Sequence, residues 1–97
     1  MAIISMEKNY ALNKITLYRE VNNKERYYRV SLMLNLFGEY IFQRVYGSCK
    51  SKNPTRIIVE YFSSYADAYR SLELKLKEKY KKGYSKKRVK ERKNGNI

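Results

Sequence analysis

The chain runs to 97 residues, 43% of them hydrophobic, with 22 Lys and Arg against 9 Asp and Glu and a formal net charge of +13. That length makes one small domain with a modest core, and that charge attracts polyanions, nucleic acid first and an acidic membrane or protein surface second. With no histidine and one cysteine, a histidine general base is excluded, a zinc site lacks ligands, and Cys49 has no intramolecular disulfide partner, which suits a reducing cytoplasm.

The opening MAIISMEKNY is briefly apolar, with no charged stretch before it. It is too short for a signal-peptide core and far too short to span a bilayer. A soluble, cytoplasmic protein with no membrane partner is expected. Residues 14–21 (KITLYREV) then alternate Ile15 and Leu17 with Thr16 and Tyr18, the mark of a strand. The polar NNKE at 22–25 reads as a turn, because Asn tolerates left-handed backbone angles. A second strand at 26–34 puts Tyr28, Val30, Leu32 and Leu34 on one face, with Tyr27, Arg29 and Ser31 opposite. Gly38 marks the next turn, EYIFQRVY (39–46) the third strand and RIIVEYF (56–62) the fourth. Between those two strands, the Gly, Asn and Pro of GSCKSKNPT mark a loop.

The period changes at Ser63-Ser64. Tyr65, Ala68, Tyr69, Leu72, Leu76 and Tyr80 recur at three- and four-residue steps, one apolar face of a helix. Ser64 suits the N-cap, with Asp67 near the positive end of the helix dipole. Glu73 with Lys77 and Glu78 with Lys82 are spaced as i,i+4 ion pairs, and Gly83 sits where a helix stops. Beyond it SKKRVKERKNGNI has almost nothing apolar to bury. The expected fold is α+β: a small four-stranded antiparallel sheet in β-β-β-β-α order, with one C-terminal helix packed on one face. That domain covers 1–84, and a basic flexible tail follows over 85–97.

The span NNKERYYRVSLMLNLFGEYIFQRVYG, followed by RIIVEYFSSYADAYRSLELKLKEKYKKGY, resembles the WGR domain. That domain is named for a Trp-Gly-Arg triplet and occurs in DNA-dependent poly(ADP-ribose) polymerases and in small bacterial proteins. The likeness covers roughly 14–84. It rests on the Asn-Lys turn before a tyrosine-rich strand, the Phe-Gly before the third strand, the FSSYADAY helix start and the closing KKGY. In place of the triplet this chain has Tyr46-Gly47-Ser48, so the glycine is kept, the aromatic is smaller and the arginine is missing. The resemblance implies a stand-alone DNA-binding module, often engaged at breaks, in which the triplet's ring packs near the nucleic-acid end. By matched position it assigns contacts to Tyr46, Gly47, Arg44, Asn23, Lys24 and Tyr84. These 97 residues match no part of a polymerase catalytic domain, so that activity is not expected to carry over.

The residue types agree. A ring at a strand end can lie flat on a base or sugar, and Gly47 lets a backbone approach closely; the alternative is that Tyr46 caps the core. Lys50, Lys52 and Arg56 lie in or beside the loop, and Lys82, Lys86, Lys87 and Arg88 follow the helix. Each can neutralise a phosphate and release counterions, although a charge run is also what a solvated face looks like. Eleven tyrosines exceed what so small a core uses. Catalysis is not expected: Ser48-Cys49 has no histidine to activate it, and GSCKSKN lacks the glycine spacing of a phosphate-cradling loop. No cofactor is implied. The expected partner is nucleic acid, DNA ahead of RNA, held at ends or breaks without strong sequence specificity. The rival reading is a protein-interaction module using the tyrosine-rich sheet face.

Overall fold

The computed structural model describes residues 9–88. Four strands, β1 (Tyr10–Val21), β2 (Lys24–Leu34), β3 (Tyr40–Ser48) and β4 (Arg56–Phe62), form an antiparallel meander in the order β1-β2-β3-β4, and one helix, α1 (Tyr65–Lys81), follows. The architecture is α+β. Parity along the strands divides the sheet. Leu17, Tyr28, Tyr46 and Arg56 share one cross-strand row, and Ile15, Val30, Arg44 and Ile58 the next, all on the face that carries α1. Leu17, Tyr28, Val30, Leu32, Phe42, Ala68 and Leu72 are buried, all but Leu17 in one cluster between that face and the helix. Each fully buried Leu, Val or Phe contributes about 1.5–3 kcal/mol relative to exposure.

Two strands are longer at their beginnings than the pattern suggests. Asn22 and Asn23 both take positive φ, 53° and 64°, the signature of a two-residue type I′ hairpin turn. Val21 therefore pairs directly with Lys24, and Lys24-Glu25 belong to β2 rather than to a four-residue turn. β1 starts at Tyr10, past a register irregularity between Ala11 and Asn13; β3 runs on through Gly47 to Ser48.

Local chemistry fixes both ends of α1. The Ser64 hydroxyl accepts the Asp67 N–H at 3.2 Å. At the other end Gly83 takes φ +100°, its N–H donates to the Tyr80 carbonyl at 3.1 Å, and the Tyr84 N–H donates to the Lys79 carbonyl at 3.1 Å. That bond pair is a Schellman termination. The buried stripe of the helix is narrow, Ala68 and Leu72 with Leu76 beside them. Tyr65, Tyr69 and Tyr80 stand on its exposed flanks, although Tyr65 keeps an edge contact to Tyr40 and a stack on Tyr69, each at 5.7 Å. Glu78 pairs with Lys75 and Lys79, at 3.7 and 4.0 Å. Lys82 is the C-cap residue and its N–H still donates to the Glu78 carbonyl at 3.3 Å, but the Glu78 carboxylate is met by Lys75 and Lys79 and not by the Lys82 side chain expected to pair with it.

Ser85 and Arg88, in the expected tail, are joined to the sheet. Tyr18 and Ser85 exchange backbone hydrogen bonds of 2.8 and 3.0 Å, so the segment after α1 lies along the outer edge of β1. The remainder of the tail, 89–97, and the first eight residues lie outside the described residues. Among the described residues no helix is long and apolar enough to cross a membrane.

Candidate nucleic-acid interface

A meander brings distant segments to the same end. The β1–β2 turn, the end of β3 with its following loop, the start of β4, the C-terminus of α1 and residues 82–88 all meet there. Backbone hydrogen bonds join them: the Cys49 N–H donates to the Glu25 carbonyl at 3.0 Å, the Thr55 N–H to the Tyr46 carbonyl at 2.8 Å, and Ser85 pairs with Tyr18. Every residue marked as a candidate from the sequence lies at this end or in the row leading to it.

Three tyrosine rings form its centre. Tyr46 stacks on its cross-strand neighbour Tyr28, with centroids 5.8 Å apart and planes 23° apart. Tyr84 meets the same Tyr28 edge-on at 6.1 Å. Tyr46 and Tyr84 flank Tyr28, which is 2% exposed, while each stays half-buried. The Lys79 ammonium sits 4.6 Å from the Tyr28 centroid and 5.9 Å from that of Tyr84, and Arg19 lies over Tyr84 at 5.9 Å. Burial, then the Lys82 charge, holds the Lys79 ammonium below the ordinary lysine range. Burial pushes the Tyr28 phenol up, partly offset by the Arg44 guanidinium beside it.

Arg44 faces inward, contrary to its expected grip on phosphate. It shares the helix-side face with Phe42 and Tyr46, lies 5.4 Å over the Phe42 ring, and pairs with Glu60 at 3.0 Å; its side chain is 14% exposed. A phosphate would have to displace Glu60 and open the layer beside α1. Gly47 likewise serves the chain itself. A Cβ there would lie 2.8 Å from the Thr55 nitrogen and 3.2 Å from Pro54 Cα, so the close approach that glycine permits is made by the β3–β4 loop. Ser48 ties the same loop, its hydroxyl accepting the Lys50 N–H at 3.3 Å.

The remaining cations divide into free and engaged. Asn23 and Lys24 are exposed at the hairpin tip, Lys50 and Lys52 on the loop, and Arg56 beside Tyr46 at the start of β4; Lys82, Lys86 and Lys87 are exposed around the helix end. Arg88 instead makes a bidentate pair with Glu25, at 2.6 and 3.0 Å, over the Tyr18 ring at 5.0 Å. It fastens the segment after α1 to the sheet. Burial and the Glu25 carboxylate push the Cys49 thiol up, away from the thiolate a nucleophile needs.

Tyr28 and Arg19 are central here although their residue types alone do not single them out, and Lys79 is one of several lysines near the end of α1. Their signal is parity: Arg19 shares a side with Leu17, and Tyr28 with Val30. A family model described as the WGR domain matches residues 9–92. No curated protein and no solved structure matched the chain.

Proposed function

The chain belongs to the WGR domain family, whose members bind nucleic acid in general, and on that premise we propose that it binds DNA ends or breaks through the tyrosine-centred end of its sheet. The observation that carries this reading is convergence: exposed Lys24, Lys50, Lys52, Arg56, Lys82, Lys86 and Lys87 surround the Tyr46–Tyr28–Tyr84 row. In this reading those cations contact phosphates and supply most of the affinity, with counterion release. Tyr46 supplies form preference. It is seated on Tyr28 at the sheet margin, and a half-exposed ring gains most against a terminal base, whose face a continuous duplex hides. Arg44 and Arg88 act indirectly, the first by supporting the ring row and the second by holding Lys86 and Lys87 in place. Ser48 stands at the third position of the family triplet and serves the loop that presents Lys50 and Lys52.

The fold supports binding without base reading, because α1 lies on the sheet and directs no exposed Asn, Gln and Arg set at a groove. The test is an electrophoretic mobility series with blunt, overhung, nicked and closed-circular DNA, and a single-stranded RNA of matched length. Tighter binding to linear and nicked forms than to closed circles is expected. Equal affinity for circles and ends would reduce the reading to charge alone, and a preference for the RNA would redirect it.

A further inference from the structure

The two edges of this sheet are treated differently. The outer edge of β1 is covered at Tyr18 by Ser85, whereas among the described residues no strand lies beyond β4. Natural sheets protect an open edge with lysine, proline, bulges or short strands. β4, RIIVEYF, has no lysine and no proline, and its register with β3 runs unbroken from Arg56 to Phe62. In a chain of net charge +13, this strand carries one Arg and one Glu and is neutral. Ile57, Val59 and Tyr61 project from the helix-free face and are 54%, 43% and 61% exposed.

We propose that β4 pairs antiparallel with β4 of a second copy about a two-fold axis at Ile58, continuing one sheet through both molecules. Charge selects the centre. About Ile58, Arg56 of each copy lies opposite Glu60 of the other, Ile57 lies opposite Val59, and Ile58 meets itself. About Val59, by contrast, Arg56 would face Phe62 and Ile58 would face Glu60, leaving both charges unmatched. Glu60 Oε1 accepts from Arg44 at 3.0 Å, and its other oxygen faces Arg56 of the second copy in the proposed register. A contact one strand wide falls at the small end of specific interfaces, below about 1,200 Å², so the dimer is weak and concentration-dependent.

Sedimentation of the full chain over a concentration series tests this. A monomer–dimer equilibrium is expected that strengthens from about 0.15 M to about 1 M salt, because the screening length falls from about 8 Å to about 3 Å and mutes the repulsion between two basic copies. A dimer bridged by nucleic acid would do the reverse. Arg56→Glu alone, or Glu60→Arg alone, sets like charges opposite each other twice and should weaken self-association about tenfold or more, which is about 1.4 kcal/mol. Mixing the two variants restores both opposite-charge pairs and should restore association between them. Should either variant fail to melt as a folded protein, Ile58→Cys in a Cys49→Ser background replaces it. Residues opposite each other lie about 4.5–5.5 Å apart at Cα, within disulfide reach, so oxidation should cross-link two copies. A monomer at every concentration and salt overturns the proposal. So does a mixture that associates no better than its components, or an uncross-linked Ile58→Cys chain.

Discussion

Tyr84 meets Tyr28 edge-on at 6.1 Å, and Gly83 is what puts it there. With φ +100° at Gly83, the chain turns back as α1 ends, and the Tyr84 N–H closes onto the Lys79 carbonyl. One residue's backbone conformation thus brings the Tyr84 ring beside the Lys79 ammonium and carries the chain on to the Ser85 bridge.

Gly83→Ala tests that arrangement. The added Cβ would meet nothing closer than Arg19 Nε at 3.8 Å, so its cost is conformational rather than steric. A left-handed conformation costs an L-residue about 1–2 kcal/mol. That corresponds to a fall in melting temperature of roughly 4–8 °C per kcal/mol for a domain this small. Thermal unfolding followed by circular dichroism measures it; an unchanged Tm would mean that Gly83 is not constrained.

Gly47→Ala fails for a different reason. Here the added methyl would sit 2.8 Å from a backbone nitrogen of the β3–β4 loop, so the loop must move. Overpacking of this kind costs about 1–3 kcal/mol. The shift would carry Lys50, Lys52 and Arg56 with it, so affinity for every DNA form should fall together with Tm. A stable variant with normal binding would show that the loop position is irrelevant.

Tyr28 predicts an alkaline limb. Burial raises its phenol above the ordinary 10.0, so above that pH the unfolded chain releases a proton the folded chain keeps. Its contribution is complete below pH 10.0 and is lost as pH rises through the folded value. Urea midpoints measured from about pH 8 to about pH 11 should decline more gently in Tyr28→Phe than in the unaltered chain. Parallel curves would mean that this phenol is not held protonated by the fold.

Much of the fold is legible in the sequence, because parity and period are local. Tyr28, Val30 and Leu32 announce the helix-side face, and Ala68, Leu72 and Leu76 the stripe that covers it. Arg44 is misread when its residue type is weighed above its parity: it alternates in phase with Phe42 and Tyr46, and so turns inward. The hairpin turn is two residues shorter than its polar composition suggests, because two Asn residues at positive φ close it without help from Lys24 and Glu25. Gly47 and Arg88 are not legible locally at all. Their neighbours, Thr55 for one and Glu25 for the other, are brought to them only by the folded meander.

The segment after α1 separates structure from charge. A chain ending at Arg88 lacks Lys90, Arg92 and Lys93 with Glu91 but keeps the Ser85 bridge and the Glu25–Arg88 pair. Its Tm should hold, while its binding to all DNA forms weakens alike and the salt slope drops by about 0.9 for each phosphate no longer neutralised. A chain ending at Tyr84 should also melt earlier. The ion pair, with Arg88 part-exposed, is worth about 1 kcal/mol at most and less in salt, and the bared edge of β1 adds to the destabilisation. Selective weakening toward one DNA form on removing 89–97 would show that those residues read shape.

Tyr46 decides between the ring as a ligand-binding surface and the ring as core. Its stack on Tyr28 at 5.8 Å means that both roles are present in one side chain, so Tyr46→Ala alone is ambiguous. The pair is worth about 0.5–1.5 kcal/mol beyond its buried area, and Tyr46→Ala should lower Tm accordingly. Stacking on a terminal base is worth about 1–3 kcal/mol, which Tyr46→Ala should remove from linear and nicked DNA while closed circles, held by charge, change little. Tyr46→Leu separates the two effects, because it fills much of the space beside Tyr28 without offering a π face. It should melt closer to the unaltered chain than Tyr46→Ala does, and still lose the preference for ends. Tyr46→Trp extends the same face and should sharpen that preference where the sheet margin has room. If Tyr46→Leu binds ends and circles in the original ratio, Tyr46 is a core residue that happens to reach the surface, and the end preference must be sought at Tyr84.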